Sequence, residues 1–167
     1  MIARRRAVLP LTLALLLAGA SIANAATTYT DTIVGIEYAA TPTVGSFVGL
    51  ADGDLPGVFN AQVVHTVLTQ TATITGGTFV LLTSIADVPT TISGTFAGGT
   101  VTQTDKNTHP CRDQHYVVSG TLANVGVGGA GGGTGTFNAT LTHHRTRIEG
   151  QCVTFFATLT GSVSLTF

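Results

Sequence analysis

The last fifteen residues leave this chain little choice of structure. Val153, Phe155, Ala157, Leu159, Val163, Leu165 and Phe167 alternate with Thr154, Phe156, Thr158, Thr160, Ser162, Ser164 and Thr166. Successive side chains of a strand point to opposite sides, so one face of this segment is apolar and the other carries mostly hydroxyls. That is the signature of an antiparallel sheet with one buried side. Gly161 falls on the apolar face and marks a bulge or a sharp bend. The bias extends through the chain, because 30 of the 142 residues after Ala25 are Thr and 20 are Gly. Thr favours strands and Gly favours turns, and both disfavour helix.

Seven further runs repeat the theme: 28–39, 44–50, 61–70, 72–83, 90–103, 114–123 and 136–148. Turn chemistry separates several of them, in Asp52-Gly53-Asp54-Leu55-Pro56-Gly57, Asp87-Val88-Pro89, Asp105-Lys106-Asn107 and Arg147-Ile148-Glu149-Gly150. Ile74-Thr75-Gly76-Gly77-Thr78-Phe79 and Ile92-Ser93-Gly94-Thr95-Phe96 look alike, but no fixed period runs through the chain, so the likeness is local strand chemistry. About eight antiparallel strands must hide two sheet edges. Closure into a barrel removes them, and glycines inside strands let a sheet bend enough to close. The expected fold is therefore all-β, a single antiparallel barrel of about eight strands, with a β-sandwich as the alternative.

The Gly-Thr-Phe segments, Ser119-Gly120-Thr121-Leu122 and the glycine-rich connection before Gly135-Thr136-Phe137-Asn138-Ala139 carry a further likeness. Together with the strand number and the export signal described next, they resemble the small secreted barrels of the dirigent and allene oxide cyclase type. The resemblance spans about Asp52 to Phe167. It implies a barrel of that kind and transfers no catalytic motif; a lipocalin-like barrel is the other form expected.

Arg4, Arg5 and Arg6 precede an apolar run from Ala7 to Ala18 and the small-x-small sequence Ala23-Asn24-Ala25. This is the layout of a Sec-type signal peptide, cleaved near Ala25, with twin-arginine export as the variant reading. The run is broken by Pro10 and falls short of the roughly 20 residues of a spanning helix, so no integral membrane span is expected. Residues 26–167 then form one domain, secreted to the periplasm or the exterior. They hold four Lys and Arg against eight Asp and Glu, a balance that argues against a nucleic-acid partner. In an oxidising compartment the two cysteines, Cys111 and Cys152, are expected to pair. A metal site built from His109, Cys111, His115 and Cys152 is the competing reading, but it lacks the two close ligand pairs of structural zinc.

Gly126-Val127-Gly128-Gly129-Ala130-Gly131 matches a dinucleotide fingerprint in form only, because a strand rather than a helix follows it. No cofactor is expected. No Gly-x-Ser-x-Gly elbow occurs. His143 and His144 must face opposite sides of their strand, and His143 shares its face with Phe137, Ala139, Leu141, Arg145 and Arg147. That strand begins in a core and ends in a charged region, as at a barrel mouth. Glu37 stands among Ile33, Val34, Ile36 and Tyr38, where an unpaired carboxylate is costly to bury, so it faces solvent or takes a partner such as Arg145. Glu37, Tyr116, His143 and Arg145, with His65 or His115, are the candidate pocket.

These features describe a secreted, disulfide-stabilised barrel that binds a small apolar or amphipathic molecule or acts as a structural module. One alternative is a dirigent- or cyclase-like enzyme acting on an oxygenated apolar substrate. Another is a small outer-membrane barrel, against which stand the absence of Trp, only three Tyr and few charges for a polar interior.

Overall fold

The structure, a computed structural model, describes residues 25–105, 111–129 and 131–167. The signal segment and His109 lie outside the described residues. Eight strands follow one another: β1 (Thr28–Thr41), β2 (Val44–Gly53), β3 (Gly57–His65), β4 (Thr71–Ile85), β5 (Val88–Gln103), β6 (Gln114–Val127), β7 (Gly133–Ile148) and β8 (Gln151–Thr166). Each pairs antiparallel with the next, and β8 pairs back onto β1 to close a barrel. Closure uses every ladder edge, so the barrel, and not the sandwich, is the fold.

Three local expectations shift. The third strand runs Gly57–His65 rather than 61–70, because Gly57 to Asn60 pair with Thr83 to Val80 and the turn contracts to residues 54–56. The glycine-rich connection shrinks to residues 128–132, since β6 continues to Val127 and β7 begins at Gly133. Gly161 is neither bulge nor bend: it pairs in unbroken register with Ala139 and Ile33, and a Cβ there would overlap the Asn138 carbonyl and the Ala139 backbone. The irregularity in β8 lies earlier, between the His144 and Arg145 pairings, where Phe155 is the extra residue. At this bulge the apolar phase breaks and Phe155 is exposed, while Phe156, on the outward phase beside Ala157, is exposed as its position requires.

Inside the barrel, large rings interleave with small residues. The Phe59 ring covers Gly35 and Gly49, whose added Cβ atoms would come within 3.0 and 2.7 Å of it. Phe96 meets Phe79 and Phe137 edge to face, with centroids 6.4 and 5.2 Å apart. Glycine facing an aromatic ring lets the wall curve inward without leaving a void. What remains is an apolar cavity of about 90 Å³ at mid-barrel, bordered by Phe47, Phe59, Phe79 and Leu159.

One end is shut. The β2–β3 connection folds Leu55 beneath the barrel, 1% exposed, and its N–H donates to Oδ1 of Asp31 at 2.7 Å. Thr30 N–H donates to Asp54 and the Thr83 hydroxyl to the Pro56 carbonyl, fixing the plug on both sides. Asp31 is itself buried, and its Oδ2 has no hydrogen-bond partner. Burial, opposed by the Leu55 hydrogen bond and assisted by Asp54 and Asp52, raises its pKa. A carboxyl held above its unfolded pKa keeps its proton longer in the folded state. Its contribution is therefore most favourable at acid pH and worsens as pH rises through the ordinary carboxylate range to the raised folded value. Asp31→Asn, which keeps the acceptor for Leu55, is expected to raise the urea midpoint more at pH 7 than at pH 3. An equal effect at both pH values would show that Asp31 ionises freely in the folded protein.

Candidate functional site

The opposite end carries the chemistry. Here β1 ends, β2 begins at Val44 and β7 runs past Leu141, so the inward residues of these strands form a mouth. Its cavity, about 240 Å³, has apolar walls from Phe47, Val63, Val101, Val118 and Leu141, with Glu37, Tyr116, His143 and His65 also on its border.

Glu37 points inward because its strand phase is set by Ile33 and Gly35. Its apolar neighbours Val34, Ile36 and Tyr38 consequently face out and are exposed, the reverse of what their hydrophobicity suggests. The Glu37 side chain lies over Gly45, where a Cβ would come within 2.7 Å of Oε1. Its Oε2 is 3.2 Å from Nε2 of His143, and the two side chains are 10% and 21% exposed. That nitrogen is buried and, among the described residues, makes no aligned hydrogen bond. Tyr116 packs on the His143 ring with centroids 5.0 Å apart, and its hydroxyl donates to Oε1 of Gln114 at 3.0 Å. Burial, and next the charge of Asp105, push the Tyr116 pKa up, so the phenol stays protonated at neutral pH.

Glu37, Tyr116, His143 and His65 thus come together at one cavity. Arg145 does not join them as the partner of Glu37: among the described residues that role falls to His143. The Arg145 guanidinium instead donates from Nη2 to the Cys152 carbonyl at 3.2 Å, and its backbone N–H donates to Asp113. Its charge still reaches the Tyr116 phenol, where it opposes the upward shift, so Arg145 stands near the mouth without pairing with Glu37. His144 lies on the outer side, between Asp113 at 2.9 Å and the Thr158 hydroxyl at 3.1 Å, stacked on Phe156. The Arg145 N–H first, and His144 second, hold the Asp113 carboxyl below the usual range. His115 contacts the Thr142 hydroxyl, away from the cavity.

Cys111 and Cys152 form a disulfide with Cα atoms 5.2 Å apart, tying the β5–β6 connection to the start of β8 at the rim of the mouth. Among the described residues no group of three or more His, Cys, Asp or Glu is placed to hold a metal ion, and no helix is long and apolar enough to cross a membrane. Sequence reasoning did not foresee the Gly45 cradle under Glu37 or the wall residues Val63 and Val101. Their alternating pattern was visible, but the end of the barrel they would line was not. Comparison with known proteins yields no matching family model, no matching curated protein and no matching solved structure.

Proposed function

We propose that this barrel binds a small amphipathic molecule in its open mouth. The apolar body of the ligand lies against Phe47, Val63, Val118 and Leu141, and a hydroxyl or similar polar group meets Glu37 and His143. One observation carries this reading: a carboxylate and an imidazole, 3.2 Å apart and largely buried, stand at the side of an otherwise apolar cavity. Pockets of this composition, mostly apolar with a few convergent polar groups, are the usual form of small-molecule sites. The export signal read from the sequence and the disulfide together support a secreted protein.

The expected test uses 1-octanol and octane as probes. Glu37→Leu should weaken octanol binding about five- to tenfold, the size of one lost hydrogen bond, and leave octane binding unchanged. Equal octanol affinity in the variant and the parent would remove Glu37 from the site.

A second reading is supported by the same dyad. A carboxylate backed by an imidazole can take a proton from an oxygenated substrate, which suits the dirigent- or cyclase-like enzyme suggested by resemblance. The distribution of side chains speaks against an outer-membrane barrel. Such barrels are apolar outside and polar within, whereas this interior is apolar, and β7 and β8 turn Thr136, Asn138, Thr140, Thr160 and Ser162 outward.

A further inference from the structure

The outward phase of the first four strands leaves an apolar area on the outside of the barrel. Val34 pairs with Leu50, Leu50 with Val58, and Val58 with Leu82, so these four side chains form one continuous row across β1 to β4. A second row lies beside it, two residues along each strand: Ile36, Val48, Asn60 and Val80. Leu50 is 62% exposed and Val34 58%. Neither row contains a charged residue. Hydroxyls bound the patch on both flanks, Thr160 and Thr158 beside Val34 and Ile36, and Thr91 and Ser93 beside Leu82 and Val80. Beyond Leu50 the rim also holds the exposed Asp52, paired with Thr32; an apolar centre with a polar rim is the anatomy of a protein interface.

We propose that this face docks a second copy of the same chain, as a two-fold dimer packed sheet against sheet. Three observations select that occupant. The exposed apolar area of the two rows with Tyr38 amounts to roughly 700 Å², close to the ~800 Å² that each partner buries in a stable interface and above what a monomer ordinarily leaves open. A two-fold interface sets each patch against itself, which repels when its centre is charged, and the two central rows carry no charge. The rows also run straight across four paired strands, the geometry in which two sheet faces interdigitate. Because both surfaces are convex, the contact centres on Leu50 and Val58, in the middle of the first row. This surface is independent of the mouth and of what binds there.

Sedimentation equilibrium of the purified protein, from micromolar to high micromolar concentration, tests the proposal. The expected result is a monomer–dimer equilibrium whose dissociation constant rises more than tenfold in Leu50→Asp and in Val58→Asp, each bringing like charges together across the axis. Both side chains point out of the barrel, so melting temperature and circular dichroism should stay at the parent values, separating lost association from lost fold. A parent that stays monomeric throughout overturns the proposal. So does a dimer unaffected by both substitutions, or a monomer that instead floats with phosphatidylcholine vesicles.

Discussion

Phe59→Ala is expected to destabilise the barrel by about 3–5 kcal/mol, the range for truncating a buried aromatic residue. The position belongs at the upper end of that range for a structural reason. The ring stands over Gly35 and Gly49, which have no side chains to move into the space it leaves. The wall behind them is a closed hydrogen-bonded ring that cannot collapse. The new void would join the existing apolar cavity of about 90 Å³, and apolar cavities of sufficient size stay dry and accept apolar guests. The variant should therefore unfold at a markedly lower urea concentration and recover part of the loss when saturated with benzene. A cost below about 1 kcal/mol would show that the ring does not fill the barrel.

Removing the disulfide is expected to cost about as much by a different route. Cys111 and Cys152 are 41 residues apart, and opening a loop of that length restores roughly 3–4 kcal/mol of conformational freedom to the unfolded chain. The folded state changes little, because β5 to β8 remain joined through their ladders. Cys111→Ser with Cys152→Ser should keep the circular dichroism of the parent while its urea midpoint falls and its mouth becomes more mobile by hydrogen exchange. An unchanged midpoint would mean that the unfolded chain is already restrained in that region.

The fold was legible because period-two alternation and turn residues are local signals. The stretch from Leu159 to Leu165 behaves as its pattern states, with Leu159 and Leu165 buried and Thr160 and Ser162 exposed. The same pattern misleads at Phe155, since a bulge shows itself only in the pairing of two strands. Register explains the candidate site as well. Glu37 and His143 were singled out from the sequence for their odd positions on apolar strands, yet their proximity arises from β1 and β7 both flanking β8, with Glu37 and His143 each paired to Ala157. That shared partner is a property of closure, which no single segment encodes. Alternation puts Arg145 on the same face as His143, and its charge does reach Tyr116, but the pattern gives no sign that its Nη2 donates to the Cys152 carbonyl. The exposed rows on β1 to β4 escaped notice for a related reason: Val34 and Ile36 read as core until the inward phase of Glu37 is known.

The most direct test of ligand binding at the mouth is the location of a bound small amphiphile. Intermolecular nuclear Overhauser effects between 1-octanol and the isotope-labelled protein should run from the alkyl chain to the methyls of Val63, Val118 and Leu141, and from the carbinol protons to the His143 ring. Contacts confined to the outer rows around Leu50 and Leu82, with none to these mouth residues, would contradict the account.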